Sequence, residues 1–319
     1  MLAAYVRRDM PRPFFIDTDT ASDDAVALVI AFTHPDVEIV GIGVVAGNVP
    51  LEQAVQNALY TRELCDRLDV PVYAGEAAPL VLPLSTAQMV HGIDGMGDIG
   101  LPLHGRTPDD GHAVDALLAA SHRHTGELTL VTLGPLTNVA RALERDPSLP
   151  DRIPRTVVMG AVADHIGNIN PVAEYNMWAD PDAVDVVLRS GLALEFVGWD
   201  ISRFYAVIEP DLAKELRAIG TARAEFCVDI NAVVAEFCAT ETKLDGFDLP
   251  DPITMAYAID PLIATAARRL HLEVETQSEL TRGMVVMDLL ELMDRPANAL
   301  VVMAADRDRF IDMLRTAIS

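Results

Sequence analysis

Four carboxylates, Asp17, Asp19, Asp23 and Asp24, fall within eight positions of the segment Phe14-Phe15-Ile16-Asp17-Thr18-Asp19-Thr20-Ala21-Ser22-Asp23-Asp24. Carboxylates this close repel one another unless something positive is held between them. A hard divalent cation with oxygen ligands meets that need, and it makes a bound water acidic enough to attack a substrate. Helix capping gives a plainer account of Ser22, Asp23 and Asp24, since Ser and acids favour the first turn of a helix. It leaves Asp17 and Asp19 without a purpose, so the segment reads as a metal-centred hydrolytic site.

The surrounding pattern sets where such a site must sit. Phe14 to Thr18 reads as a strand, Asp23 to Thr33 as a helix and Val37 to Val45 as a second buried strand. A helix from Leu51 to Arg67 and a strand from Val70 to Tyr73 follow, then a Pro- and Gly-rich loop from Ala74 to Gly111. Order returns as a helix at His112–His124, a strand at Leu128–Leu133, a helix at Thr137–Glu144 and a strand at Thr156–Met159. After a loop from Ala161 to Asn176 come a helix at Asp180–Arg189, a strand at Leu194–Val197 and helical periodicity from Pro210 to Cys238. Strands are expected at Leu270–Glu275, Gly283–Asp288 and Ala299–Met303, as an edge or appendage, before a closing helix at Asp306–Ile318. Repeated strand-helix units imply an α/β fold with an open, mostly parallel β-sheet flanked by helices, formed as one domain over residues 1–319 with a flexible tail at residues 1–12.

Composition narrows the partners. The 24 basic and 48 acidic residues leave a formal net charge of −24, which argues against nucleic acid and against anionic membrane surfaces. Half of the 319 residues are hydrophobic, enough for a sizeable core. Cys65, Cys227 and Cys238 show no disulfide framework or zinc spacing, and no stretch reaches the length of a membrane span. A cytoplasmic protein with a small-molecule partner is expected.

In a parallel sheet the loops after the strand C-termini share one rim, so polar residues from several junctions converge there. Asp17-Thr18-Asp19 with Asp23-Asp24-Ala25, Gly47-Asn48-Val49, His91-Gly92 with Asp94-Gly95, Gly134-Pro135-Leu136-Thr137-Asn138, Gly167-Asn168, Glu174 with Asn176, and Asp251-Pro252 occur in that order. Over most of the first 260 residues the set resembles the calcium-dependent nucleoside hydrolases of the inosine-uridine-preferring type. The resemblance implies Ca²⁺ held by Asp19, Asp24, Asp251 and the main-chain carbonyl of Leu133, an all-oxygen shell. It further implies that Asp19 is general base toward the metal-bound water, that Asp23 grips a ribose hydroxyl, and that Asn48, Asn168, Glu174 and Asn176 bind the sugar. Asp17 is expected to orient Asn48 or a loop amide. The implied reaction is hydrolysis of the N-glycosidic bond of a ribonucleoside to ribose and free base, by a homodimer or homotetramer.

One departure stands out. Many members place a His before the metal-binding Asp, and that imidazole is the favoured acid for the leaving base; here the segment is Leu249-Pro250-Asp251-Pro252. His91 is a candidate for a base-pocket or proton-relay role, with His165, Tyr175 and Tyr257 weaker, and Trp178, Trp199, Phe237 or Phe247 are candidates to approach the base from elsewhere. Two rival readings stand beside the hydrolase: a haloacid-dehalogenase-like phosphatase, from Asp17-Thr18-Asp19 after an apolar strand, and a non-catalytic nucleoside or ribose binder, from Pro250.

Overall fold

The computed structural model describes residues 10–319. The chain lays down β1 (Arg12–Thr18), β2 (Val37–Val44), β3 (Val72–Ala74), β4 (Thr129–Thr132), β5 (Arg155–Met159) and β6 (Leu194–Val197), with helices between them. A two-residue ribbon pairs β7 (Val207–Ile208) with β8 (Phe247–Asp248), and β9 (Ala264–Leu270), β10 (Leu272–Val274), β11 (Val285–Met287) and β12 (Ala299–Ala305) complete the set. Eight strands form one sheet in the order β3-β2-β1-β4-β5-β6-β12-β9, parallel except for the edge strand β9.

β1 lies inside that sheet and its sequence explains why. Phe14 and Ile16 turn to one face and Phe15 to the other, and all three are essentially without solvent contact, as expected of a strand covered on both sides. The first face carries the helices Ser22–Thr33, Leu51–Leu64, Pro250–Ile259 and Arg307–Ile318; the second carries Ala113–Arg123, Thr137–Arg145 and Pro181–Leu188. From β1 the chain first builds outward through β2 and β3, then crosses to β4 on the other side of β1. That reversal opens a crevice beyond the C-terminal end of β1, the place where open α/β sheets bind their ligands. The ladder grips this end from both sides, through Val45 N–H to the Thr18 carbonyl and Leu133 N–H to the Asp17 carbonyl.

Several expectations need correction. Ala299–Ala305 is an interior strand between β6 and β9, because a parallel partner on one side and an antiparallel one on the other bury Val301 and Val302. The strand Ala264–Leu270 and the helix Trp199–Tyr205 were not expected at all. The former hides its signal because its middle residues face solvent. Residues 210–237 form three short helices, and Asn176 sits in the helix Tyr175–Ala179 and not in the preceding loop. The expected tail lies, for residues 1–9, outside the described residues; Arg12 already belongs to β1, with its guanidinium on the Ala258 and Ile259 carbonyls.

Candidate active site

The carboxylate-rich turn after β1 runs directly into the buried helix Ser22–Thr33, which packs against Pro250–Ile259. This packing brings Asp251 to a cluster more than two hundred residues earlier in the chain. Carboxylate oxygens of Asp23, Asp24 and Asp251 lie within 4.8 Å of one another, all buried. Asp24 is fixed by Thr18 Oγ1 at 2.5 Å and by the Ala21 N–H at 2.9 Å. Asp19 is outside that group of three, but its charge interacts with those of Asp24 and Asp23. Its Oδ2 accepts the Asn48 N–H at 2.6 Å, and its Oδ1 is buried with no hydrogen-bond partner, as is Asp23 Oδ1. A buried carboxylate oxygen without a donor is costly. Two such atoms beside a knot of like charges fit a hard cation with oxygen ligands.

Burial dominates the protonation of the cluster. It pushes Asp17 and Asp23 up to about 7 and, with repulsion from Asp23, Asp24 up to about 6. Asp19 and Asp251 are driven well above the usual carboxylate range by burial and then by the charge of Asp24. Bound positive charge would reverse these shifts by favouring the ionised forms.

Around the cluster, each expected sugar-binding residue has its own setting. Asn48 is buried beside Asp19. Glu174 caps the helix Tyr175–Ala179, accepting the N–H groups of Asn176 and Met177 at 2.8 and 3.3 Å, and burial lifts it to about 7. Asn176 Nδ2 donates to the Leu133 carbonyl at 2.7 Å, orienting the very oxygen expected to meet the metal. Asn168 is exposed at the cleft mouth. Asp17 does support the cluster, but its partner is Asn138, whose Nδ2 donates at 2.8 Å, and not Asn48. Strand adjacency explains this, because the loop after β4 places the helix Thr137–Arg145 beside the end of β1.

Asp23, Asn48, Leu133, Asn168, Glu174, Asn176 and Asp251 all line one cleft, whose empty space, open mouth included, is about 860 Å³. The lining also includes the mostly apolar Trp199, Val234, Phe237, Cys238 and Pro250, together with His91, Asp248 and Thr242. His91 Nδ1 lies 2.9 Å from Ser22 Oγ and 3.7 Å from Asp23 Oδ1. Burial holds the imidazole down to about 4, so it is neutral at pH 7. His165 is exposed and stacks near Trp199 and Phe204, outside the cleft lining. Tyr175 donates its hydroxyl to the Ser85 carbonyl, and Tyr257 packs in the core beneath Arg155. Neither Trp178 nor Phe247 lines the cleft. In the sequence, Asp248 is marked only as a carboxylate three positions before Asp251. Lys214 and Lys243 are both exposed and absent from the lining, so the phosphatase reading lacks its cation.

The sheet order, the buried carboxylate knot at the switch point and the amide-rimmed cleft define an α/β protein with a cleft for a small ligand. The chain belongs to the inosine-uridine preferring nucleoside hydrolase family, whose model matches residues 14–312. It is 34% identical over 306 residues to a pyrimidine-specific ribonucleoside hydrolase RihA of Shewanella sp. (strain MR-7), covering 96% of this chain and 95% of that protein. It is 35% identical over 303 residues to an inosine-uridine preferring nucleoside hydrolase of Leishmania major, covering 94% and 95%. The solved structure of a purine-preferring ribonucleoside hydrolase from Gardnerella vaginalis superposes with a TM-score of 0.89 at 30% identity, covering 96% and 98%. The protein is therefore a nucleoside hydrolase. Relatives of nearly equal identity differ in base preference, so overall similarity does not carry that preference over.

Proposed function

We propose that this chain hydrolyses the N-glycosidic bond of ribonucleosides, with Asp19 as general base toward the attacking water. The observation that carries the reading is the state of Asp19: one oxygen fixed by the Asn48 N–H, the other buried and unpaired beside Gly134, next to the cleft-lining Leu133. Asp24, Asp251, Asp19 and the Leu133 carbonyl would hold Ca²⁺, with Asp23 close enough to contribute. When bound, Ca²⁺ supplies the charge that keeps these carboxylates ionised and acidifies the water. Asp19 takes the water proton as the oxygen adds to the anomeric carbon. Asp23, Asn48, Asn168, Glu174 and Asn176 hold the ribose hydroxyls, amides being suited because they both donate and accept. The carboxylates of Asp23 and Glu174, when ionised, favour the oxocarbenium-like sugar of the transition state.

His91 has a base-pocket role in this reading, as a residue of the cleft lining beside Asp23. Three buried free thiols support a reducing compartment, hence the cytoplasm, and the family resemblance supports a homodimer or homotetramer. The test is a reducing-sugar and base-release assay over purine, pyrimidine and nicotinamide ribosides with added Ca²⁺. Release of free base with stoichiometric ribose is expected. Tight binding of the panel without release would leave a binder in its place.

A further inference from the structure

The departing base needs a proton, and Pro250, immediately before Asp251, has none to give. We propose that Asp248 is the general acid for the leaving base, an assignment that rests on the nucleoside-hydrolase reading. Asp248 lies in the ribbon strand β8, lines the same cleft and is buried. Its surroundings come from three elements. Ser202 and Arg203 belong to the helix Trp199–Tyr205, Cys238 begins the π-helical turn Cys238–Thr242, and Asp23 interacts with it by charge from the first helix.

The hydrogen-bond count at Ser202 is the central observation. Its Oγ lies 2.8 Å from the Trp199 carbonyl oxygen and 2.6 Å from Asp248 Oδ2. A hydroxyl has one proton to give, and a carbonyl can only accept. With Ser202 donating to Trp199, the 2.6 Å contact is a hydrogen bond only when Asp248 is itself protonated and donates. With the proton gone, the same hydroxyl turns and donates to the carboxylate. The site thus satisfies both protonation states with one side-chain rotation. Asp248 Oδ1 has Cys238 Sγ at 4.0 Å and Arg203 Nη1 at 3.9 Å, so a guanidinium stands ready beside the carboxylate that forms. Arg203 is itself held by Thr242 Oγ1 at 3.1 Å and over the Trp199 ring. Burial raises Asp248 above the usual carboxylate range, against the opposing pull of the Ser202 and Trp199 hydrogen bonds and the Arg203 charge, so both protonation states have support.

The C–N bond breaks with its electron pair going to the base, Asp248 transfers its proton to that base, and Asp248 becomes a carboxylate. Water oxygen bonds to the anomeric carbon and its proton goes to Asp19. Exchange with solvent on product release returns a proton to Asp248 and removes one from Asp19.

The test compares two substrates of the full-length enzyme with Ca²⁺ present. Inosine or uridine needs leaving-group protonation; p-nitrophenyl β-D-ribofuranoside, with its acidic phenol, does not. For Asp248→Asn, kcat/KM on the nucleoside should fall by roughly 100-fold or more, while the aryl riboside stays within about threefold. Equal losses on both substrates, or no loss on the nucleoside, would overturn the assignment. Wild-type pH profiles guard against a variant that fails to fold: the nucleoside should show an alkaline limb that the aryl riboside lacks. A limb shared by both substrates contradicts the proposal, and so does a wild-type enzyme that cleaves the aryl riboside but no nucleoside. Failure of the hydrolase reading itself would look different, with neither riboside cleaved.

Discussion

Gly134 and Asp19 are in such close contact that a β-carbon on Gly134 would lie 2.6 Å from Asp19 Oδ1. On the other side Gly47 crowds Asp19 Oδ2 even more tightly. Two loops, after β2 and after β4, thus close on one carboxylate, and only glycine leaves it room. Gly134→Ala should therefore displace Asp19 and lower kcat by at least about tenfold, since small misplacements of reacting groups are costly. Steady-state kinetics beside circular dichroism would check this; a folded Gly134→Ala enzyme with full kcat would contradict it.

Asn138 and Asp17 pair at 2.8 Å in a region without solvent, and Asn138 Oδ1 also accepts the Glu76 N–H. Asn138→Ala leaves a buried carboxyl without its donor, so a loss of roughly 2–4 kcal/mol in stability is expected. Denaturant unfolding measures it. A change below about 0.5 kcal/mol would mean that Asp17 finds another partner.

The buried carboxylates make stability depend on pH in a definite direction. Asp17, Asp23 and Glu174 near 7 and Asp24 near 6 keep protons in the fold that the unfolded chain, at about 3.8 or 4.5, has given up. Between about pH 4 and pH 7 the native state binds more protons, so stability falls as pH rises. Chelator-treated protein should thus melt lower at pH 8 than at pH 5.5, by several degrees. Added Ca²⁺ should raise Tm more at pH 8 than at pH 5.5, because protons compete for the same oxygens. An equal Ca²⁺ effect at both pH values would separate the metal from these carboxylates.

Asn176 and Asn168 should fail in different ways. Asn176 holds the Leu133 carbonyl from a buried position, whereas Asn168 is exposed at the cleft mouth. Asn176→Ala should weaken Ca²⁺ binding by about tenfold or more, a loss typical of groups that orient metal ligands. Asn168→Ala should raise KM while leaving Ca²⁺ affinity unchanged. Calorimetric titration with Ca²⁺ distinguishes the two.

Much of this was legible in the sequence, for physical reasons. The run Phe14–Ile16 had to be buried on both faces, and four acids at its end had to lie at the rim of a parallel sheet. What escaped were relationships set by tertiary contact. Asn138 pairs with Asp17 because β4 neighbours β1, a fact that no local pattern encodes. The solvent-facing middle of Ala264–Leu270 hides the apolar signal of a strand. Ala299–Ala305 reads as a strand, but its interior place depends on β9 folding back beside it. No local pattern marks Asp248, because its partners Ser202 and Arg203 lie more than forty residues earlier.

The central claim is that Asp19 takes the proton of the attacking water. Its most direct test is kcat for ribose release from a nucleoside that the wild-type enzyme turns over, with saturating Ca²⁺, in wild type and Asp19→Asn. A fall of at least about 100-fold is predicted, the scale of a lost general base. Undiminished kcat in the Asn variant would contradict it.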